Sequence, residues 1–147
     1  MENILINFDY SWENVINTNG KIYYFPDNTK LIPKIYATSA IYKWEINKDD
    51  IVNCIYIGET QKLFPDRING YLKPGPTQKT NIYINNLFQE YLKEKCFIEL
   101  KILKIENNNS IGIKISNDEF SNKYIRKSIE NLLIAKYKNE GIKLLNK

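Results

Sequence analysis

The chain has 147 residues, 43% of them apolar and 26% charged, with a formal net charge of +4. This composition suits one soluble globular domain long enough to bury a core of its own, and its mild basicity permits a polyanionic partner without requiring one. There is no histidine, which excludes Ser-His-Asp and Cys-His catalysis, histidine-based nuclease chemistry and histidine-bearing zinc sites; acid–base work falls to carboxylates, tyrosines or lysines, and any metal needs oxygen ligands, as Mg²⁺ or Mn²⁺ prefer.

The first residues, Met1-Glu2-Asn3-Ile4-Leu5, lack a basic leader and a small-residue cleavage site, and no apolar run approaches the ~20 residues of a membrane helix. A cytoplasmic protein is expected. Residues 1–33 read as an elaboration packed on the main domain. Within them Ser11 to Ile16 is predicted as a short helix with Ser11 as N-cap, and Lys21 to Phe25 as strand-like after the Asn19-Gly20 turn.

Ile35 to Ile46 and Val52 to Gly58 are rich in β-branched and aromatic residues and read as strands of an antiparallel hairpin. Thr60 is placed as the cap of a helix running to about Tyr71. Lys73-Pro74-Gly75-Pro76-Thr77 must be a loop. Asn81 to Lys93 carries Ile84, Leu87, Phe88, Tyr91 and Leu92 at helical spacing, and Phe97 to Ile105 alternates as a strand does. A polar loop at Asn107 to Ser110 precedes a possible short strand at Ile111 to Ile115. Ser121 to Lys138 is the clearest helix, with Ile125, Ile129, Leu132, Leu133 and Lys136 on one face and Gly141 as a stop. Cys54 and Cys96 match no metal spacing and read as buried thiols. The order predicts an α+β fold: a small antiparallel sheet of about three core strands flanked by helices.

The chemistry gathers around the hairpin. Tyr42 and Tyr56 can approach each other across it. A phenol is a poor base unless nearby cations lower its pKa. Arg67, with Lys43 or Lys62, can do this and can neutralise a phosphoryl group. Glu130, mid-helix among apolar neighbours, can hold one hard cation. Each residue has a plainer reading beside this. The chain has eleven tyrosines, most of which must be packing residues. Taken alone, Arg67 reads more readily as a surface charge and Arg126 with Glu130 as an i,i+4 ion pair, and Asn146 reads as a polar tail residue.

Together these residues resemble the GIY-YIG nuclease superfamily. Ala40-Ile41-Tyr42 is similar to its first motif, with alanine for glycine, and Tyr56-Ile57-Gly58 is similar to its second. Arg67, Tyr71, Glu130 and Asn146 stand in order where the family carries its arginine, a further tyrosine or histidine, its metal-binding glutamate and its closing asparagine. The resemblance covers residues 34–147 as the nuclease domain. It implies hydrolysis of DNA phosphodiesters to 5′-phosphate and 3′-hydroxyl ends with one divalent metal. Tyr42 would be the general base, Tyr56 its partner, Arg67 the phosphate clamp, Tyr71 a further site residue and Glu130 the Mg²⁺ ligand. Some members carry lysine directly after the second motif; here that place is Glu59, with Lys62 following. Lys62, Lys73, Lys79 and Asn146 are the expected DNA contacts.

Three other readings stand beside this one. Pro65-Asp66 with Glu99-Leu100-Lys101 spells a PD-(D/E)xK pattern. A module that keeps the fold and binds nucleic acid without cutting it is the second, and a partner-binding domain with no nucleic acid is the third. The preferred expectation is a stand-alone restriction-type endonuclease, dimeric for double-strand cuts. Recognition would fall to residues 1–33 and the loops around 73–80 and 107–118. A mobile-element or repair nuclease is the alternative role.

Overall fold

The computed structural model describes residues 1–3, 7–107 and 117–146. The polar stretch after Asn107 and the expected strand at Ile111 to Ile115 lie outside the described residues. The predicted α+β class is observed: an antiparallel sheet in the order β1-β4-β2-β3, flanked by helices.

The centre is the hairpin of β2 (Ala40–Lys48) and β3 (Ile51–Thr60). Its turn falls at Asp49 and Asp50, whose φ angles of 53° and 62° fit the tight, right-twisting turns that join such strands. Tyr42 lies opposite Gly58, Trp44 opposite Tyr56 and Ile46 opposite Cys54. The strand β4 (Phe97–Asn107) pairs with the other side of β2, placing Leu100 opposite Trp44.

The fourth strand corrects a sequence expectation. Ser11 to Asn14 belongs to β1 (Asp9–Asn14), which pairs with β4 and sets Trp12 opposite Leu103. A short isolated helix is a poor structure in water, whereas an edge strand satisfies its backbone on β4. It also lets Trp12 donate its indole N–H to the Tyr137 hydroxyl at 2.8 Å. The strand expected over residues 21–25 is reduced to isolated bridges: Ile22 pairs with Ile16 within the lead segment, and Tyr24 touches the sheet at Glu99 of β4. Val15, Tyr23, Phe25 and Ile32 join the cluster that holds Trp44, so the lead segment is part of the same core.

The sheet separates two layers. Tyr42, Trp44, Ile46, Ile98 and Leu100 face the short helix α1 (Ile68–Leu72), the helix α2 (Lys79–Lys93) and the lead segment. Ile41, Ile55, Ile57 and Leu103 face α3 (Lys123–Asn139). The buried face of α3 is Ile129, Leu133 and Tyr137; Leu132, expected inside, is 51% exposed. Its N-cap is Asn122, whose side chain accepts from the Tyr124 and Ile125 amides, while Ser121 belongs to the preceding turn Asn117–Ser121. Gly141 ends the element at φ 79°, a region that suits glycine.

Two boundaries near the site also differ from expectation. Lys34–Tyr36 forms a tight turn, and β2 starts only at Ala40. Thr60 closes β3, and its hydroxyl exchanges hydrogen bonds with the Lys62 backbone at 3.1 Å rather than capping a helix. A wide turn over Leu63–Arg67, with Phe64 extended, then leads into α1. Among the described residues no helix is long and apolar enough to cross a membrane.

Candidate active site at the edge of β3

Side chains alternate across a strand, so Tyr42 and Tyr56 point to the α1 side of the sheet. There they meet Tyr71 from α1. The Tyr42 and Tyr71 hydroxyls are 2.6 Å apart. Tyr71 packs edge-on against both neighbours, with ring centroids 6.2 Å from Tyr42 and 6.0 Å from Tyr56. The ring of Tyr42 lies over Gly58. A β-carbon there would fall 2.9 Å from Tyr42 Cε2 and closer still to Cζ and the hydroxyl oxygen. The glycine of the second motif is therefore required sterically by the tyrosine of the first. Ala40 carries no comparable burden: it is an ordinary buried β residue opposite Thr60.

Arg67, at the start of α1, lies close enough to interact with all three phenols and with Glu59. Arg67 is in none of the ion pairs formed among the described residues. Glu130 comes from the other layer, on α3, and its field reaches Tyr42 and Tyr56. Five of the sequence-selected residues, Tyr42, Tyr56, Arg67, Tyr71 and Glu130, thus converge about the outer edge of β3 near Gly58.

The electrostatics are those of a half-dry site. Burial raises the Tyr42 pKa above its usual value; Arg67 and the Tyr71 bond offset part of this. Burial likewise raises Tyr56, with Tyr71 and Glu130 adding to the rise and Arg67 opposing it. Tyr71 is raised by burial and by Tyr42. Glu130 is raised by burial and then by the Glu59 charge, against Lys127 and Arg67. All three phenols are protonated in the free protein at neutral pH, and a cation beside them is needed before one serves as a base.

The departure at Glu59 has a local answer. Glu59 Oε2 accepts from Arg126 Nε at 2.7 Å, and its other oxygen lies 3.3 Å from Lys127 Nζ. Burial pushes the Glu59 pKa up, but these two cations outweigh it and hold the carboxyl below its usual value. Arg126 therefore pairs with Glu59 and not, as the i,i+4 spacing allowed, with Glu130. Neither Arg126 nor Lys127 is marked as a site residue by the sequence alone. The one available signal was the unpaired acid directly after the second motif, which needs a counter-charge from somewhere.

Asn146 is tied to the same strand. Its Oδ1 accepts from the Ile57 amide at 2.9 Å and its Nδ2 donates to the Ile57 carbonyl at 2.7 Å. With the Ile55–Leu144 bridge, the C-terminal segment thus saturates the outer edge of β3 below the site. Beside Tyr56, a cleft of about 250 Å³ is lined by Lys79, Thr80, Tyr83, Ile84, Leu145 and Asn146. Lys62, Lys73 and Lys79 are exposed. The PD-(D/E)xK arrangement is not assembled. Asp66 is exposed on the turn before α1, whereas Lys101 lies across the sheet, 3.1 Å from Glu45 and 3.7 Å from Glu99.

Among the described residues no group of three or more acidic or cysteine side chains converges as a metal cage. A Mg²⁺-type ion needs fewer protein ligands than such a cage. Such ions keep much of their water and take one or two carboxylates plus substrate phosphate oxygens. Glu59 is engaged by two cations, which leaves Glu130 as the carboxylate available for that role.

No family model, no curated protein and no solved structure matches the chain.

Proposed function

We propose that the chain is a divalent-metal-dependent DNA endonuclease that hydrolyses phosphodiester bonds to 5′-phosphate and 3′-hydroxyl ends. The observation that carries the reading is the convergence of Tyr42, Tyr56, Tyr71, Arg67 and Glu130 around Gly58, with the Tyr42 and Tyr71 hydroxyls 2.6 Å apart. The resemblance of Ala40-Ile41-Tyr42 and Tyr56-Ile57-Gly58 to the GIY-YIG motifs supports it.

In this reading Tyr42 first loses its own phenolic proton to solvent, beside Arg67; the phenolate then takes the proton of the attacking water, and its hydrogen bond from the Tyr71 hydroxyl holds it in one orientation. Tyr56 supports it from the neighbouring strand. The Arg67 guanidinium offers a planar pair of donors to the phosphoryl oxygens and lowers the cost of a phenolate beside it. Glu130 would hold the cation, Mg²⁺ or Mn²⁺, whose positive charge would supply stabilisation of the leaving oxygen. Lys62, Lys73, Lys79 and Asn146 form the proposed DNA contacts, the lysines gripping phosphates. The role is read as restriction-type, and a homodimer would give double-strand cuts from one site per chain.

The second reading is a DNA-binding module without chemistry. The elevation of all three phenols by burial favours it. Incubation of supercoiled plasmid with Mg²⁺ or with EDTA, using the natural chain and Glu130→Ala, separates the two. Metal-dependent nicking or linearisation by the natural chain alone supports the nuclease, and discrete bands support the restriction role. DNA retention without cutting in any metal would move the assignment to the binding module. Light scattering of the DNA-bound protein tests the dimer; a monomer on a cleaved site would remove it.

A further inference from the structure

We infer that the Glu59–Arg126 ion pair is a positioning device that fixes Glu130 for a divalent cation, an inference that rests on the nuclease reading above. Arg126 precedes Glu130 by one turn of α3, so both residues project from the same face of that helix. Arg126 is only 4% exposed. Its Nε reaches Glu59 at 2.7 Å, and its Nη1 donates to the Phe120 and Ser121 carbonyls at 2.9 and 3.2 Å. One guanidinium thereby joins β3, the turn Asn117–Ser121 and the first half of α3.

Glu59 meets that helix face through its carboxylate, which holds Arg126. Alternate backbone groups of an edge strand point outward, and those of β3 are taken up in succession. The Ile55 amide donates to the Lys143 carbonyl and the Ile57 amide to Asn146, at 3.0 and 2.9 Å. Glu59 is the next outward position, and its carboxylate reaches Arg126 and Lys127 of α3. A slide of α3 along the strand would break the Arg126 bond and withdraw Glu130 together.

The same pairing decides which carboxylate receives the metal. Both Glu59 oxygens face cations, Arg126 on one and Lys127 on the other. Glu130 is in none of the described ion pairs. Outer groups that orient a metal ligand typically contribute tenfold to hundredfold in metal affinity.

The test is a Mn²⁺ titration of the intact chain, followed by paramagnetic broadening of the residue 59 amide resonance, with no DNA and no turnover. Arg126→Gln, Arg126→Lys and Glu59→Gln are compared with the natural chain, and thermal melting reports whether each folds. A positioning role predicts that all three bind Mn²⁺ about tenfold or more weakly. Charge alone predicts the opposite sign for Arg126→Gln, because removing a cation near the site should tighten a divalent ion. It predicts no change for Arg126→Lys. Unchanged or tighter binding in the folded Arg126 variants overturns the positioning role while leaving the nuclease reading intact. Should Arg126→Gln not fold, Arg126→Lys carries the same decision. A natural chain that binds no Mn²⁺ near residue 59 overturns the metal site itself, and with it this inference.

Discussion

Tyr42 and Gly58 face each other across β2 and β3, and the phenol of Tyr42 occupies the space where a side chain at position 58 would stand. A methyl group at Gly58 forces the ring aside. Buried overpacking of this kind costs about 1–3 kcal/mol. Gly58→Ala is therefore expected to lose stability in that range by urea denaturation. On the proposed function, plasmid cleavage falls further than the stability loss explains, because Tyr42 is displaced. A variant with native stability and full cleavage would show that Tyr42 needs no fixed seat.

The Tyr42–Tyr71 hydroxyl pair is buried. Tyr71→Phe keeps the ring contacts with Tyr42, Trp44 and Tyr56 and removes only the oxygen. Leaving a buried hydroxyl without its partner costs about 1–3 kcal/mol. Equilibrium unfolding should register that loss. Tyr71→Phe should also slow cleavage, by roughly tenfold to a hundredfold if orientation of the Tyr42 phenol is part of the acid–base step.

Glu130 carries a raised pKa from burial and from Glu59. The folded chain therefore holds that proton at pH values where the unfolded chain, near about 4.3, has lost it. Stability from this group is full below the unfolded pKa and declines as pH rises through the folded value. Glu130→Gln should melt higher than the natural chain at neutral pH, and the difference should vanish in acid. The same variant should lose metal-dependent cleavage. Melting curves at several pH values, set beside plasmid assays, check both halves. A Glu130→Gln protein destabilised at neutral pH would mark the carboxylate as structural.

Glu59 titrates with the opposite sign. Burial raises it, but Arg126 and Lys127 hold its folded pKa below the usual carboxyl value. Its contribution is present above an unfolded pKa of about 4.3 and is lost as pH falls through the folded value. Acid unfolding of Glu59→Gln should thus be less steep than that of the natural chain below about pH 4.5. Removing the other partner is harsher: Arg126→Met leaves a half-buried carboxylate beside a single lysine and should cost about 3–5 kcal/mol.

Lys73 and Lys79 are exposed on either side of the loop that leads to α2. As phosphate contacts they should each contribute about one unit to the slope of log binding constant against log salt. Filter binding of Lys73→Ala and Lys79→Ala over a salt series reads this directly. Equal slopes for natural chain and variants would remove these residues from the DNA interface.

Much of this architecture follows from local pattern. The β2–β3 hairpin, the helical periodicity of α2 and α3, and the closeness of Tyr42 to Tyr56 rest on short-range alternation, turn chemistry and 3.6-residue spacing, which are local properties of a chain. The exclusion of histidine chemistry needs only composition. Other features depended on partners far away in sequence. Ser11 to Asn14 has the local features of a capped helix, but β4 offered a ladder and Tyr137 a hydrogen bond, and residues 9–14 became a strand. Arg126 stands one turn from Glu130, but Glu59, 67 residues away, took its guanidinium. Asn146 reads as a tail residue, but the open edge of β3 required a donor and an acceptor at Ile57, and its carboxamide supplies both. In each case a buried or edge polar group had to be satisfied. Which distant residue satisfies it is decided only when the sheet and helices are brought together.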